Sequence, residues 1–233
     1  MDVLVLDIGG TNVKMLATDA DGPRKFESGT GMTPEMMVEQ VQHATADWQY
    51  DVISMGYPGA VDGGRIRAEP GNLADGWVGF DFEGTFGKPV RIVNDAVMQA
   101  LGGYDGGRML FLGLGTGLGT TLVSEHVVVP LELGCLPYNS RQTIADRLGA
   151  DGLETYGRDE WLKTLRHVTD ILREAFSVDY IVLGGGNVSH VDELPPDTRR
   201  GGNDDAFSGG FRLWEEMVEP HDRKAPPVWR VVR

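Results

Sequence analysis

The stretch VLVLDIGGTNVKMLATDADG, residues 3–22, decides how this chain is read. Val3 to Leu6 is a β-forming run that reads as a buried strand, Val13 to Ala17 reads as its hairpin partner, and DADG is the next turn. Between the strands lie Asp7 and then Gly9, Gly10 and Thr11. Glycines carry no Cβ, so backbone N–H groups there can approach an oxyanion closely, and a threonine hydroxyl adds a donor. The turn has two readings: a plain hairpin with an aspartate at its mouth, or a loop that holds a phosphate.

Working outward, 233 residues of which 41% are hydrophobic can bury one large core or two modest ones, and two compact lobes are expected. The formal charge of −14 argues against nonspecific association with nucleic acid or an anionic membrane. Any phosphate site must then be built locally. Cys135 is the only cysteine, which excludes an internal disulfide and a cysteine-based zinc cluster within one chain. A reducing, cytoplasmic setting fits, and no stretch approaches membrane-spanning length.

Residues 33–48, TPEMMVEQVQHATADW, predict a helix with Thr33 as cap, Pro34 at the first position and Met37, Val41 and Ala44 on one face. The apolar run VISMGYPG (52–59) follows. A second short strand, VRIV (90–93), ends at Asn94 and Asp95 and gives way to a helical AVMQALGGY. Residues 109–123, MLFLGLGTGLGTTLV, repeat the opening pattern of strand, glycine turn and strand, which suggests two related halves. SRQTIADRLG (140–149) reads as a helix, and RDEWLKTLRHVTDILREAF (158–176) as a long amphipathic one through Trp161, Leu165, Val168, Ile171, Leu172 and Phe176. DYIVLGGGNV (179–188) is a strand ending in glycines, DELPPDTRRGGND (192–204) a loop, and DDAFSGGFRLWEEM (204–217) a final helix despite its glycine pair. Residues 218–233 read as an extended tail or edge segment.

Three glycine turns thus follow three apolar strands. Any one could be a tight turn, and GTGLG alone is a poor dinucleotide fingerprint because a strand follows it. Taken together, two facing hairpins could clamp a polyphosphate while the third turn lets a flat base lie on the backbone.

The segments DIGGTNVK, YPGAV, VNDAVMQALGGY, LGLGTGLGTTLV, LELG and VLGGGN occur in the order seen in the ROK family of sugar kinases, and the resemblance runs over nearly the whole chain. Residues 67–80, RAEPGNLADGWVGF, together with the missing cysteine-rich zinc motif, look most like the polyphosphate glucokinase branch. The resemblance implies the two-lobed α/β actin-like ATPase fold (ribonuclease H-like), of the actin, hexokinase and Hsp70 superfamily, with an active-site cleft between lobes 1–106 and 107–233. The last helix would pack back on the first lobe. It implies transfer of the terminal phosphoryl group of ATP or polyphosphate to a hexose such as glucose, with Mg²⁺ and without zinc, in a cytoplasmic homodimer that uses neither nucleic acid nor membrane.

By the same resemblance Asp95 is the general base, Asp7 positions Mg²⁺ through water, and the backbones of Gly9, Gly10, Thr11, Gly115, Thr116 and Gly117 hold phosphates. Gly184, Gly185 and Gly186, with Asn187, border a nucleoside. Asn72, Asn94, Asp95 and Glu132 contact the sugar, and Trp77 walls the pocket. Each has a plainer reading. Asp95 and Asn94 could cap a helix, Asn72 and Trp77 could be a turn residue and an anchoring aromatic, and Glu132 a solvated loop residue. Lys14 reads as a surface lysine that could add charge. The family usually has histidine where Cys135 stands, and Cys135 reads as a packed small side chain.

Two further readings compete: a catalytically weak sugar-binding regulator of the same fold, and an actin-like or chaperone-like ATPase. Strand residues beginning at Asp2 disfavour a DNA-binding segment ahead of the fold, and VND with LELG favours the sugar branch over the ATPases.

Overall fold

A computed structural model describes residues 1–202, 204–215 and 230–231. The architecture is α/β, built on two mixed sheets of matching topology. In the first, β1 (Val3–Ile8), β2 (Asn12–Ala17) and β3 (Arg24–Glu27) form an antiparallel meander. After α1 (Pro34–Ala44), β4 (Val52–Tyr57) joins β1 in parallel. A small hairpin of β5 (Val61–Asp62) and β6 (Arg65–Ile66) and the short α2 (Phe82–Phe86) lead to β7 (Val90–Asn94), parallel to β4. The order is β3-β2-β1-β4-β7.

Helix α3 (Asp95–Gly103) crosses to the second sheet. There β8 (Arg108–Leu114), β9 (Leu118–Ser124) and β10 (Val127–Leu131) repeat the meander. The chain then forms α4 (Ile144–Leu148), α5 (Ala150–Tyr156) and α6 (Arg158–Phe176) before β11 (Tyr180–Gly184) and β12 (Thr198–Arg200) extend the sheet in parallel beyond β8. Helix α7 (Asp205–Arg212) follows, and β13 (Arg230–Val231) pairs with β10. No helix among the described residues is long and apolar enough to cross a membrane.

Period-two alternation explains the layering. Val3 and Val5 of β1 enter one core, whereas Leu4, Leu6 and Ile8 enter another with Met37, Val38 and Val41 of α1. In β8, Met109 and Phe111 face the first of these cores, and Leu110, Leu112 and Leu114 face a third under α6. The shared core is filled by α3 and α7, which lie between the sheets. Their close crossing depends on glycine: a Cβ on Gly209 would overlap the Met98 carbonyl oxygen, and one on Gly210 the Val5 side chain. Arg212 of α7 donates to the carbonyls of Leu101, Gly102 and Tyr104, capping the C-terminal end of α3.

Several elements depart from the sequence reading. Ile171 is 50% exposed, and Thr164 and Thr169 are buried in α6 alongside Trp161, Leu165, Val168 and Leu172. The segment 192–204 contains β12, and the helix expected over 140–149 is confined to Ile144–Leu148 behind a Thr143–Asp146 capping box. Helix α7 ends at Arg212, and Glu216 and Met217 of its expected span lie outside the described residues. Of the expected tail only Arg230–Val231 is described.

Candidate active site

Strand β7 delivers Asn94 and Asp95 to the start of α3. The Asn94 side chain accepts from Ala96 N at 2.9 Å, so it is the helix cap, and its amide donates to Gly59 O at 2.9 Å. One amide hydrogen remains for an outside partner. Asp95 stands one residue inside the helix and accepts from Ala96 N at 2.8 Å. Packing around it pushes its carboxyl up to about 6, chiefly through desolvation and further through repulsion from Asp7, against the favourable Ala96 bond.

Asp95 opens on a cleft of about 360 Å³. Asn72, Asn94 and Glu132 line it with the Gly115–Gly117 turn and Gly185. Larger grooves of about 460 and 500 Å³ lie beside Trp214 and beside β7. A third, of about 460 Å³, runs along Arg65–Arg67 and Trp77–Phe82. None of the three is lined by both a desolvated carboxylate and a glycine turn of the kind at Gly115–Gly117, so the smaller cleft is the chemical candidate.

Each glycine turn is braced. Gly9 N donates to Asn12 O at 2.9 Å and Ser28 Oγ to Gly9 O at 2.6 Å. On the other hairpin Asn187 Nδ2 donates to Gly115 O at 3.0 Å and Ala150 N to Thr116 O at 3.2 Å. The Gly9–Thr11 turn does not itself line the cleft. It adjoins it through Asn72, whose side chain packs so closely on Gly10 that a Cβ there would overlap the amide. Of Gly184, Gly185 and Gly186 at the end of β11, only Gly185 lines the cleft.

Asp7, at the end of β1, is 3.4 Å from Lys14 Nζ, so the lysine is an ion-pair partner rather than a free surface charge. Among the described residues no three metal-ligating side chains converge. Mg²⁺ needs fewer, because it keeps several waters and takes one or two carboxylates together with phosphate oxygens. Asp7, near enough to Asp95 to raise its pKa, fits that role.

Glu132 is exposed at the end of β10, and the turn carrying it is set by a buried residue. Thr120 Oγ1 donates to Leu131 O at 2.7 Å and accepts from Leu133 N at 3.0 Å, clamping both neighbours of Glu132. The sequence reading missed Thr120, although it lies in the quoted glycine segment. Two other expectations are corrected. Trp77 does not wall the cleft: it is fully buried and packs on Tyr57 and Phe82 in the outer core of the first sheet. Cys135 is exposed, because the turn Leu133–Cys135 packs through Leu133 and Gly134.

No family model matches the chain, and no curated protein matches it. Among solved structures it resembles an inorganic polyphosphate/ATP-glucomannokinase from Arthrobacter sp. strain KM, at 22% identity and TM-score 0.75 over 90% of this chain and 96% of that one. It also resembles a ROK family glucokinase from Streptomyces griseus in complex with glucose and AMPPNP, at 16% identity and TM-score 0.69 over 90% and 98%. A ROK family transcriptional regulator, a homolog of the E. coli MLC protein, matches at 13% identity and TM-score 0.69 over 90% and 76%. The fold is that of the ROK sugar kinases, the actin-like α/β fold that the sequence motifs resemble.

Proposed function

We propose that the protein is a hexose kinase that transfers the terminal phosphoryl group of ATP or polyphosphate to a sugar hydroxyl, with glucose as the leading acceptor. The observation that carries this reading is Asp95: a desolvated carboxylate, raised to about 6, that lines one cleft with Asn72, Asn94, Glu132 and a glycine turn. Ionised at neutral pH, it accepts the hydroxyl proton as the sugar oxygen attacks the phosphoryl group. Asn94, held by Gly59, offers its remaining amide hydrogen to a neighbouring hydroxyl; Asn72 and Glu132 bind others. The backbones of Gly9 to Thr11 and Gly115 to Gly117 hold the donor, and Gly184 to Gly186 border a nucleoside. Asp7 would hold Mg²⁺, which supplies charge neutralisation on the phosphates.

On this reading lobes 1–106 and 107–233 close over the sugar and expel water that would otherwise compete as acceptor. A cytoplasmic homodimer completes the proposal. The likeness to a transcriptional regulator supports a second reading, a sugar-responsive protein without turnover. A coupled assay crossing a panel of hexoses with ATP and polyphosphate separates them. Sugar-dependent donor consumption that falls by roughly 10²–10⁴ in Asp95→Asn supports the kinase. Sugar binding without turnover under any pairing establishes the regulator.

A further inference from the structure

The loop that carries Asn72 is pinned at its base by a single carboxylate. Glu69 Oε2 accepts from Gly76 N at 3.0 Å and Trp77 N at 2.9 Å, and Oε1 accepts from Val78 N at 3.2 Å. Three backbone donors from consecutive residues thus converge on one side chain, a charge-assisted arrangement that closes residues 69–78 into a compact loop. Further bonds fix the loop to the first sheet. Tyr57 Oη donates to Ala68 O at 2.9 Å, Ala74 N donates to Met32 O at 3.2 Å, and Trp77 is embedded in the core. Asn72 lies within the closed loop and rests on Gly10, so one side chain touches the first glycine turn and also lines the cleft.

We propose that Glu69 is a positioning residue for the acceptor: by gathering the Gly76–Val78 amides it holds Asn72 between the Gly10 turn and the cleft, and so sets sugar affinity. The proposal rests on the hexose kinase reading given above. Glu69 itself is exposed and does not line the cleft, so its effect passes through Asn72 alone. Trp77 anchors the loop's far end in the core whether or not Glu69 is present. Removing the carboxylate therefore loosens the apex more than it unfolds the domain.

The test compares Glu69→Ala and Glu69→Gln with the parent chain in steady-state kinetics and in hydrogen exchange of the backbone amides of residues 70–79. Hydrogen exchange reports the anchor whether or not the protein turns over. In Glu69→Ala the Gly76–Val78 amides should exchange faster. The sugar KM should rise by roughly tenfold or more, while donor KM and kcat change far less, because the reacting groups stay in place. Glu69→Gln keeps one carbonyl oxygen able to accept from two of the three amides, so it should fall between parent and alanine variant. A purely structural role would instead lower the melting temperature and depress all kinetic constants together. Faster exchange with an unchanged sugar KM, or equal loss in both substrate constants, overturns the proposal while leaving the kinase reading intact. A parent chain that neither binds nor phosphorylates any hexose overturns both.

Discussion

In the proposed reaction Asp95 would serve as a base only when ionised, the form its surroundings disfavour. Its folded-state pKa of about 6 lies above the ordinary aspartate value of 3.8. Between these values the folded chain holds a proton that the unfolded chain has released, so this group makes stability fall as pH rises from about 4 to about 6. Above that window the full cost remains, on the order of 1–3 kcal/mol at neutral pH. Asp95→Asn should then melt at a higher temperature than the parent at pH 7, and the difference should vanish near pH 4. Activity should run the opposite way, with kcat/KM for the sugar falling as pH drops through about 6. Scanning calorimetry at both pH values and a pH–rate profile check the pair of outcomes. A variant that is inactive and also destabilised at pH 7 would show that the carboxylate is structural. The position of Asp95 was legible because a strand that ends in Asn-Asp before a helix leaves polar groups at the strand's end, whereas the role proposed for it came from the family resemblance. Glu69 was not, because its partners are backbone amides seven to nine residues away, and such a contact leaves no periodicity.

At the scale of elements, α3 is held at both ends. Asn94 caps its first turn, and Arg212 gathers carbonyls at its last. Between them Met98 lies under Gly209 of α7 with no room for a Cβ. Gly209→Ala must push α7 and α3 apart, and overpacking of this kind costs about 1–3 kcal/mol or more. We expect a drop in melting temperature together with a loss of activity, since α3, against which the new methyl presses, carries Asp95. Ala at Ser208, an exposed neighbour on the same helix, is the control and should melt like the parent. This crossing explains why a helix with two internal glycines forms where propensity opposes it. It could not be read locally, because the partner surface is over a hundred residues distant. The two hairpins, α1 and α6 were legible because burial on one or both faces imposes a strict period. Strand β12 was not, because Thr-Arg-Arg at a sheet edge carries no alternation. Ile171 matches the α6 stripe in spacing, yet the buried face turns toward Thr164 and Thr169, so it sits at the rim.

Across the whole molecule, a kinase of formal charge −14 would have to receive a polyanionic donor, and only local groups could offset the repulsion. Glycine turns and a cation can do this for two or three phosphates inside the cleft. A long polyphosphate would need a basic track beyond it, and among the described residues the Arg199–Arg200 pair is committed elsewhere. Arg200 donates to the carbonyls of Val188 and Val191; Arg199 lies over the Tyr180 ring, 3.5 Å from an Asp105 carboxylate oxygen. Each phosphate added outside the cleft should therefore contribute little binding. With polyphosphates of graded length, the donor KM per molecule should level off once the cleft is spanned, and its salt dependence should not steepen with length. A KM that keeps falling as the polymer grows, and climbs sharply with salt, would mean that an extended cationic path exists. In that case Arg199→Ala should remove part of the length dependence while leaving turnover with ATP unchanged.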